Sequence, residues 1–110
     1  MRAVTSGTRA WLLQRLTAVY MLLVLVVVLA RFAADAPSSY EAWRSWIGAG
    51  GMRLAVLLFT AALLLHAWVG LRDVAMDYLH PPALRIGVLA LVGAGLAAAG
   101  AWVALAVVAL

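Results

Sequence analysis

The chain has 110 residues, 68% of them hydrophobic and 11% charged, with a mean hydropathy of +1.10. A soluble domain of this length needs far more polar surface, so the excess apolar area must face lipid or other membrane-embedded chains. The net charge of +4 comes from arginines standing singly at the edges of apolar runs, which excludes a nucleic-acid surface, and the lack of cysteine excludes disulfides, thiolate-held iron–sulfur clusters and cysteine nucleophiles.

The first apolar run predicts a membrane-crossing helix over about residues 11–33, a little more than the twenty or so residues that a bilayer requires. Arg9 and Arg15 ahead of it, and the Ala34-Asp35-Ala36 triplet after it, also resemble a cleaved secretory signal. The run is long for a signal and Tyr20 interrupts it, which favours a permanent span. Residues 38–48 follow as more than a linker. Ser38 and Glu41 have capping-box spacing, Tyr40, Trp43 and Ile47 fall on one helical face, and Gly48 offers a stop. A short helix rich in Trp and Tyr between two spans suits the lipid headgroup layer.

A second span is predicted over about residues 52–75, and His66 lies about 21 Å along it from Met52. Ionisable groups inside a membrane are costly and usually functional, as ligands or proton relays. Neutral imidazole is an axial ligand of haem iron, and helical bundles hold cofactors between facing helices. Gly70, one turn after His66, would leave room there for a flat macrocycle. A six-coordinate haem needs two axial ligands, whereas this chain offers one histidine at membrane depth, because His80 lies in the next connection. If haem binds, a partner chain supplies the other ligand. Arg15, at the start of helix one, has two available roles: a guanidinium for haem propionates, or a snorkelling topology charge.

Asp77 and Tyr78 follow His66 by eleven and twelve residues. The tyrosine fits an interfacial anchor, and equally a hydrogen-bond donor to a quinone carbonyl arriving from the bilayer. Asp77, with Arg72 and Asp73 a turn earlier, could fix the phenol or pass protons to it. Pro81 and Pro82 cannot continue helix two but can begin helix three, expected over about residues 84–109. Its Gly93, Ala97 and Ala101, with Gly100 and Ala104 beside them, fit either close helix packing or an alanine-rich helix lying in lipid.

The fold class is therefore an all-α membrane protein: one anchor domain of three transmembrane helices, with a short interfacial helix between the first two. Arg2, Arg9, Arg15, Arg72 and Arg85 lie on one side, and Arg31, Arg44 and Arg53 on the other. The richer side should be cytoplasmic, with the N-terminus inside and the C-terminus in the periplasm.

The runs "QRLTAVY", "SYEAW", "HAWVGLRDV" and "MDYLHPPALR" resemble the hydrophobic membrane anchor family of bacterial succinate dehydrogenase. The resemblance covers most of the chain, in order and at matching spacing; helix three matches only as a generic apolar span. It implies membership of respiratory complex II in the inner membrane, partnered by a flavoprotein that oxidises succinate, an iron–sulfur protein, and a second membrane chain, the cytochrome b subunit. It further implies that His66 is an axial ligand of haem b, with the cytochrome b partner supplying the second histidine, and that Arg15 lies near the haem propionates. Tyr78 would hydrogen-bond a ubiquinone carbonyl, with Asp77 as its acidic neighbour. The charged Arg72-Asp73 pair and the double proline depart from the family pattern and bear on the shape of the quinone pocket. Two other classes remain in view: a fumarate reductase-type anchor, whose versions include haem-free ones, and a small multi-pass transporter. The transporter would need a carboxylate within an apolar core, and all four acids lie outside them.

Overall fold

In the computed structural model, which describes residues 2–110 and side chains from Gly7 onward, the order is α1 (Arg2–Asp35), α2 (Tyr40–Gly48), α3 (Gly50–Tyr78) and α4 (Pro82–Val108). The side chain of Arg2, counted above for orientation, lies outside the described residues. Three helical stretches are long and apolar enough to cross a membrane: Gly7–Asp35, Gly50–Tyr78 and Pro82–Val108. The longest are 29 residues, about 43 Å of helix against about 30 Å of hydrocarbon. Each span therefore tilts or projects into the headgroup layer.

The boundaries have local causes. Helix α1 ends at Asp35 because Pro37 disfavours helical geometry at the residue before it. Helix α2 is capped by Ser39, one residue later than the expected Ser38. Ser39 is extended, at φ −152° and ψ 166°, and its hydroxyl accepts the Ala42 N–H at 3.1 Å. Glu41 thus falls inside the first turn, where it complements the helix dipole instead of closing a capping box. Gly48 does end α2, but through an extended Ala49 and not through a left-handed glycine. Ala49 alone joins α2 to α3, its carbonyl accepting the Arg53 N–H at 2.7 Å. At the other end, Pro81 caps α4 and Pro82 opens it, as expected. Arg85 ties this corner by donating from Nε to the Leu79 carbonyl at 2.9 Å.

Helix α3 is the middle element. It packs against α1 on one side and α4 on the other, and among the described residues α1 and α4 do not meet. Gly93 and Gly100 let α4 approach α3: a Cβ on Gly93 would stand 3.4 Å from the Trp68 ring, and one on Gly100 would overlap Leu64. Ala97 lines the open α3–α4 groove beside Gly93, facing Leu64, Leu65 and Trp68, and Ala101 is exposed, so within the stripe the glycines make the close approach. Few side chains are enclosed. Ala62, Val69 and Ala75 of α3, Val107 of α4 and Ile47 of α2 are buried, whereas Leu22, Leu23 and Val27 of α1 lie about 60% open. Apolar surface that large and open belongs against lipid or partner helices.

Candidate functional site

The site grows from the seam between α1 and α3. Because the two helices run antiparallel, residues near the start of α1 meet residues in the second half of α3. Thr17 is the one buried side chain among the described residues of α1, at 7% exposure. Its Oγ1 lies 3.0 Å from Nδ1 of His66. The same hydroxyl is 2.7 Å from the Leu13 carbonyl and 3.2 Å from that of Gln14. His66 is half-buried, and its second ring nitrogen has no hydrogen-bond partner among the described residues.

One turn toward the start of α1, Gln14 meets Gly70. Its amide nitrogen would be 3.6 Å from a Cβ placed on that glycine. The space expected at Gly70 for a macrocycle is thus taken by a side chain of the same protein, because the antiparallel register brings Gln14 opposite it. Gln14 Oε1 is buried without a partner among the described residues. Farther along the seam, Gly7, Ala10, Trp11, Gln14, Arg15, Arg72 and Asp73 line an open cleft of about 480 Å³. Arg15 is exposed at this cleft, with its guanidinium 5.4 Å from the centre of the Trp11 ring. Arg72 and Asp73 pair with each other at 3.6 Å. That pair serves the α1–α3 cleft, and neither residue bonds to Tyr78.

Asp77 and Tyr78 occupy the last turn of α3. Both are exposed, Tyr78 to 75%. Among the described residues neither has a hydrogen-bond or charge partner, and no bond joins the two. Eleven residues is about three helical turns, so Asp77 lies nearly in line with His66, while Tyr78 points about 120° away. The phenol therefore faces outward from the chain, at a depth about 18 Å beyond the imidazole. His80 lies exposed in the connection, outside both helices.

Tyr20, which in the sequence only interrupts an apolar run, donates its hydroxyl to the Ala55 carbonyl at 3.0 Å and pins α1 to α3. On the opposite face of the membrane from Tyr78, Phe32 and Trp46 rings lie 5.6 Å apart, Tyr40 and Trp43 stack at 6.0 Å, and Arg31 covers Trp46. These aromatics hold α2 along the headgroup level.

In the chemistry of its donor set the seam is compatible with a haem iron, which His66 would hold through one ring nitrogen. An imidazole inside an apolar helix keeps one nitrogen engaged by its own protein and the other without a partner, as metal-binding histidines do. Sequence alone gives Thr17 and Gln14 no role, since a lone threonine in an apolar helix ordinarily bonds back to its own turn. Only the pairing of α1 with α3 reveals what they face.

Residues 1–110, the whole chain, match the family model described as succinate dehydrogenase/fumarate reductase transmembrane subunit. The succinate dehydrogenase hydrophobic membrane anchor subunit of Coxiella burnetii is a relative 29% identical over 91 residues. That alignment covers 83% of this chain and 79% of the relative.

Proposed function

As the chain belongs to the succinate dehydrogenase/fumarate reductase transmembrane subunit family, we propose that it anchors a succinate:quinone oxidoreductase in the bacterial inner membrane. In that role it supplies one axial ligand to a haem b and part of the ubiquinone reduction site. The iron–sulfur and flavoprotein subunits dock at the end carrying Tyr78, and a cytochrome b partner provides the second histidine.

The observation that carries this reading is His66, half-buried in an apolar span with one ring nitrogen engaged and the other available. When bound, the haem supplies a one-electron redox centre within the membrane. The chain's own residues hold and orient it. His66 presents a lone pair, and Arg15 at the cleft offers a guanidinium to propionate carboxylates. The large open apolar surface of α1 excludes water once partner helices cover it.

At the end of α3, Tyr78 has an unengaged phenol that can donate to a quinone carbonyl. A donor aimed at an oxygen that gains negative charge stabilises the charged state more than the starting carbonyl. Asp77, exposed beside it, can take up a proton from the cytoplasm and pass it toward the reduced oxygen. His66 favours the haem-bearing form of the anchor over a haem-free fumarate reductase type. A transporter role lacks its central group, because Asp35, Glu41, Asp73 and Asp77 are all exposed near helix ends or in connections.

The test replaces His66 with leucine in the assembled complex. Reduced-minus-oxidised spectra should lose or shift the b-type band, while succinate oxidation with an artificial soluble acceptor persists. An unchanged low-spin spectrum would remove His66 from the ligand set.

A further inference from the structure

We infer that Thr17 is a positioning residue for His66. Its hydroxyl selects the imidazole tautomer protonated at Nδ1 and turns Nε2, with its lone pair free, toward the ligand position. This rests on the haem reading above and assigns a role to a residue that does not itself touch the cofactor.

The argument is a count of protons. A threonine hydroxyl has one hydrogen to give and two lone pairs with which to accept. Thr17 Oγ1 has two backbone carbonyls within reach, Leu13 at 2.7 Å and Gln14 at 3.2 Å. Carbonyls only accept, so they claim the single hydrogen, and the shorter contact to Leu13 takes most of it. What remains on Oγ1 is acceptor capacity, directed at His66 Nδ1 from 3.0 Å. With the hydroxyl hydrogen held on the Leu13 carbonyl, two lone pairs would face each other unless Nδ1 carries the proton, so this arrangement favours the Nδ1–H form. A neutral imidazole protonated at Nδ1 has its basic lone pair on Nε2.

Burial makes the choice strong. Thr17 is among the most enclosed side chains of the molecule, at 7% exposure, so water does not compete for its oxygen. The opposite tautomer would require Thr17 to swing its one hydrogen to Nδ1 and give up its 2.7 Å bond to the Leu13 carbonyl, inside a seam where water offers no replacement. Thr17 also fixes the ring plane, because Nδ1 must stay in line with an oxygen anchored to the α1 backbone. The carbonyl–hydroxyl–imidazole chain polarises toward the ring, and an N–H held by an acceptor makes the opposite nitrogen a better donor to a metal.

Thr17→Val keeps the branched shape and deletes the hydroxyl; Thr17→Ser keeps the hydroxyl and deletes a methyl. Both variants are compared in the purified, membrane-extracted complex with His66→Leu as the reference. Thr17→Val should still assemble with haem, but release it to a haem-scavenging apoprotein about 10–100-fold faster, the usual cost of losing such a partner. Its haem midpoint potential should move positive, because a weaker donor nitrogen stabilises the oxidised iron less. Thr17→Ser should restore both properties to near the parent values. If Thr17→Val matches the parent in release rate and potential, or if Thr17→Ser is as impaired as Thr17→Val, the hydroxyl has no such role. A haem spectrum that survives His66→Leu unchanged overturns the ligand assignment itself, a result separate from either outcome at Thr17.

Discussion

Gly100 of α4 lies so close to Leu64 of α3 that a methyl group on its Cα would overlap Leu64 Cδ1 and stand 3.5 Å from Cγ. The atom in the way is the end of a flexible side chain, so the outcome depends on the size of the replacement. Gly100→Ala forces Leu64 off its rotamer at about 0.5–1.5 kcal/mol, while the gain in helix propensity returns about 0.8–1.0 kcal/mol. The two nearly cancel. Gly100→Ile cannot be absorbed in this way and should destabilise by at least the roughly 1–3 kcal/mol typical of overpacking. Thermal inactivation of the purified complex measures both, and equal losses for alanine and isoleucine would mean that the helices are not held by this contact.

Tyr20→Phe removes the hydroxyl that α1 donates to the Ala55 carbonyl at 3.0 Å. Side-chain hydrogen bonds between membrane helices average about 0.6 kcal/mol and reach about 1.7. A small fall in thermal stability is expected, with the haem spectrum and quinone turnover intact. A large effect on the spectrum would place this bond in the cofactor site and not in the helix seam.

Tyr78→Phe keeps the ring and deletes the phenol. Losing a donor to developing negative charge costs about 2.7–4 kcal/mol, a hundredfold or more in rate. Succinate–quinone turnover should drop accordingly, with haem content and artificial-acceptor activity near normal. A tyrosine serving only as an interfacial anchor gives the opposite result: wild-type quinone turnover in the phenylalanine variant.

The arginine distribution, five on the N-terminal side against three on the other, predicts a cytoplasmic N-terminus and a periplasmic C-terminus. Alkaline phosphatase fused after Leu110 should be active, and a reporter restricted to the cytoplasm should be silent there. The reverse pattern would put Tyr78 on the wrong face for the catalytic subunits.

How much of this is legible in the sequence follows from which interactions are local. The three spans and the proline start of α4 are readable, because apolar length and missing N–H groups act within a few residues. The cap of α2 sits one residue beyond its expected place, since two adjacent serines offer the same hydroxyl and only the backbone geometry selects Ser39. His66 stands out because burying a titratable ring in lipid is costly. Its partner does not, because Thr17 lies 49 positions away and only the antiparallel register of α1 on α3 brings the two together. The same register fills the space at Gly70 with Gln14, and it directs Arg72 and Asp73 toward α1 and away from Tyr78.

The middle position of α3 has a consequence for what can pass through this chain. A permeation path needs helices closed around a lumen, and among the described residues the two outer helices each touch the middle one without touching each other. No ring closes, so this chain encloses no channel of its own. Any solute or proton crossing the bilayer here would have to travel along an outer face, in a groove that another protein completes. The proposed cofactor half-site would share this geometry: His66 stands at a seam with one nitrogen open, and only assembly would make it a compartment.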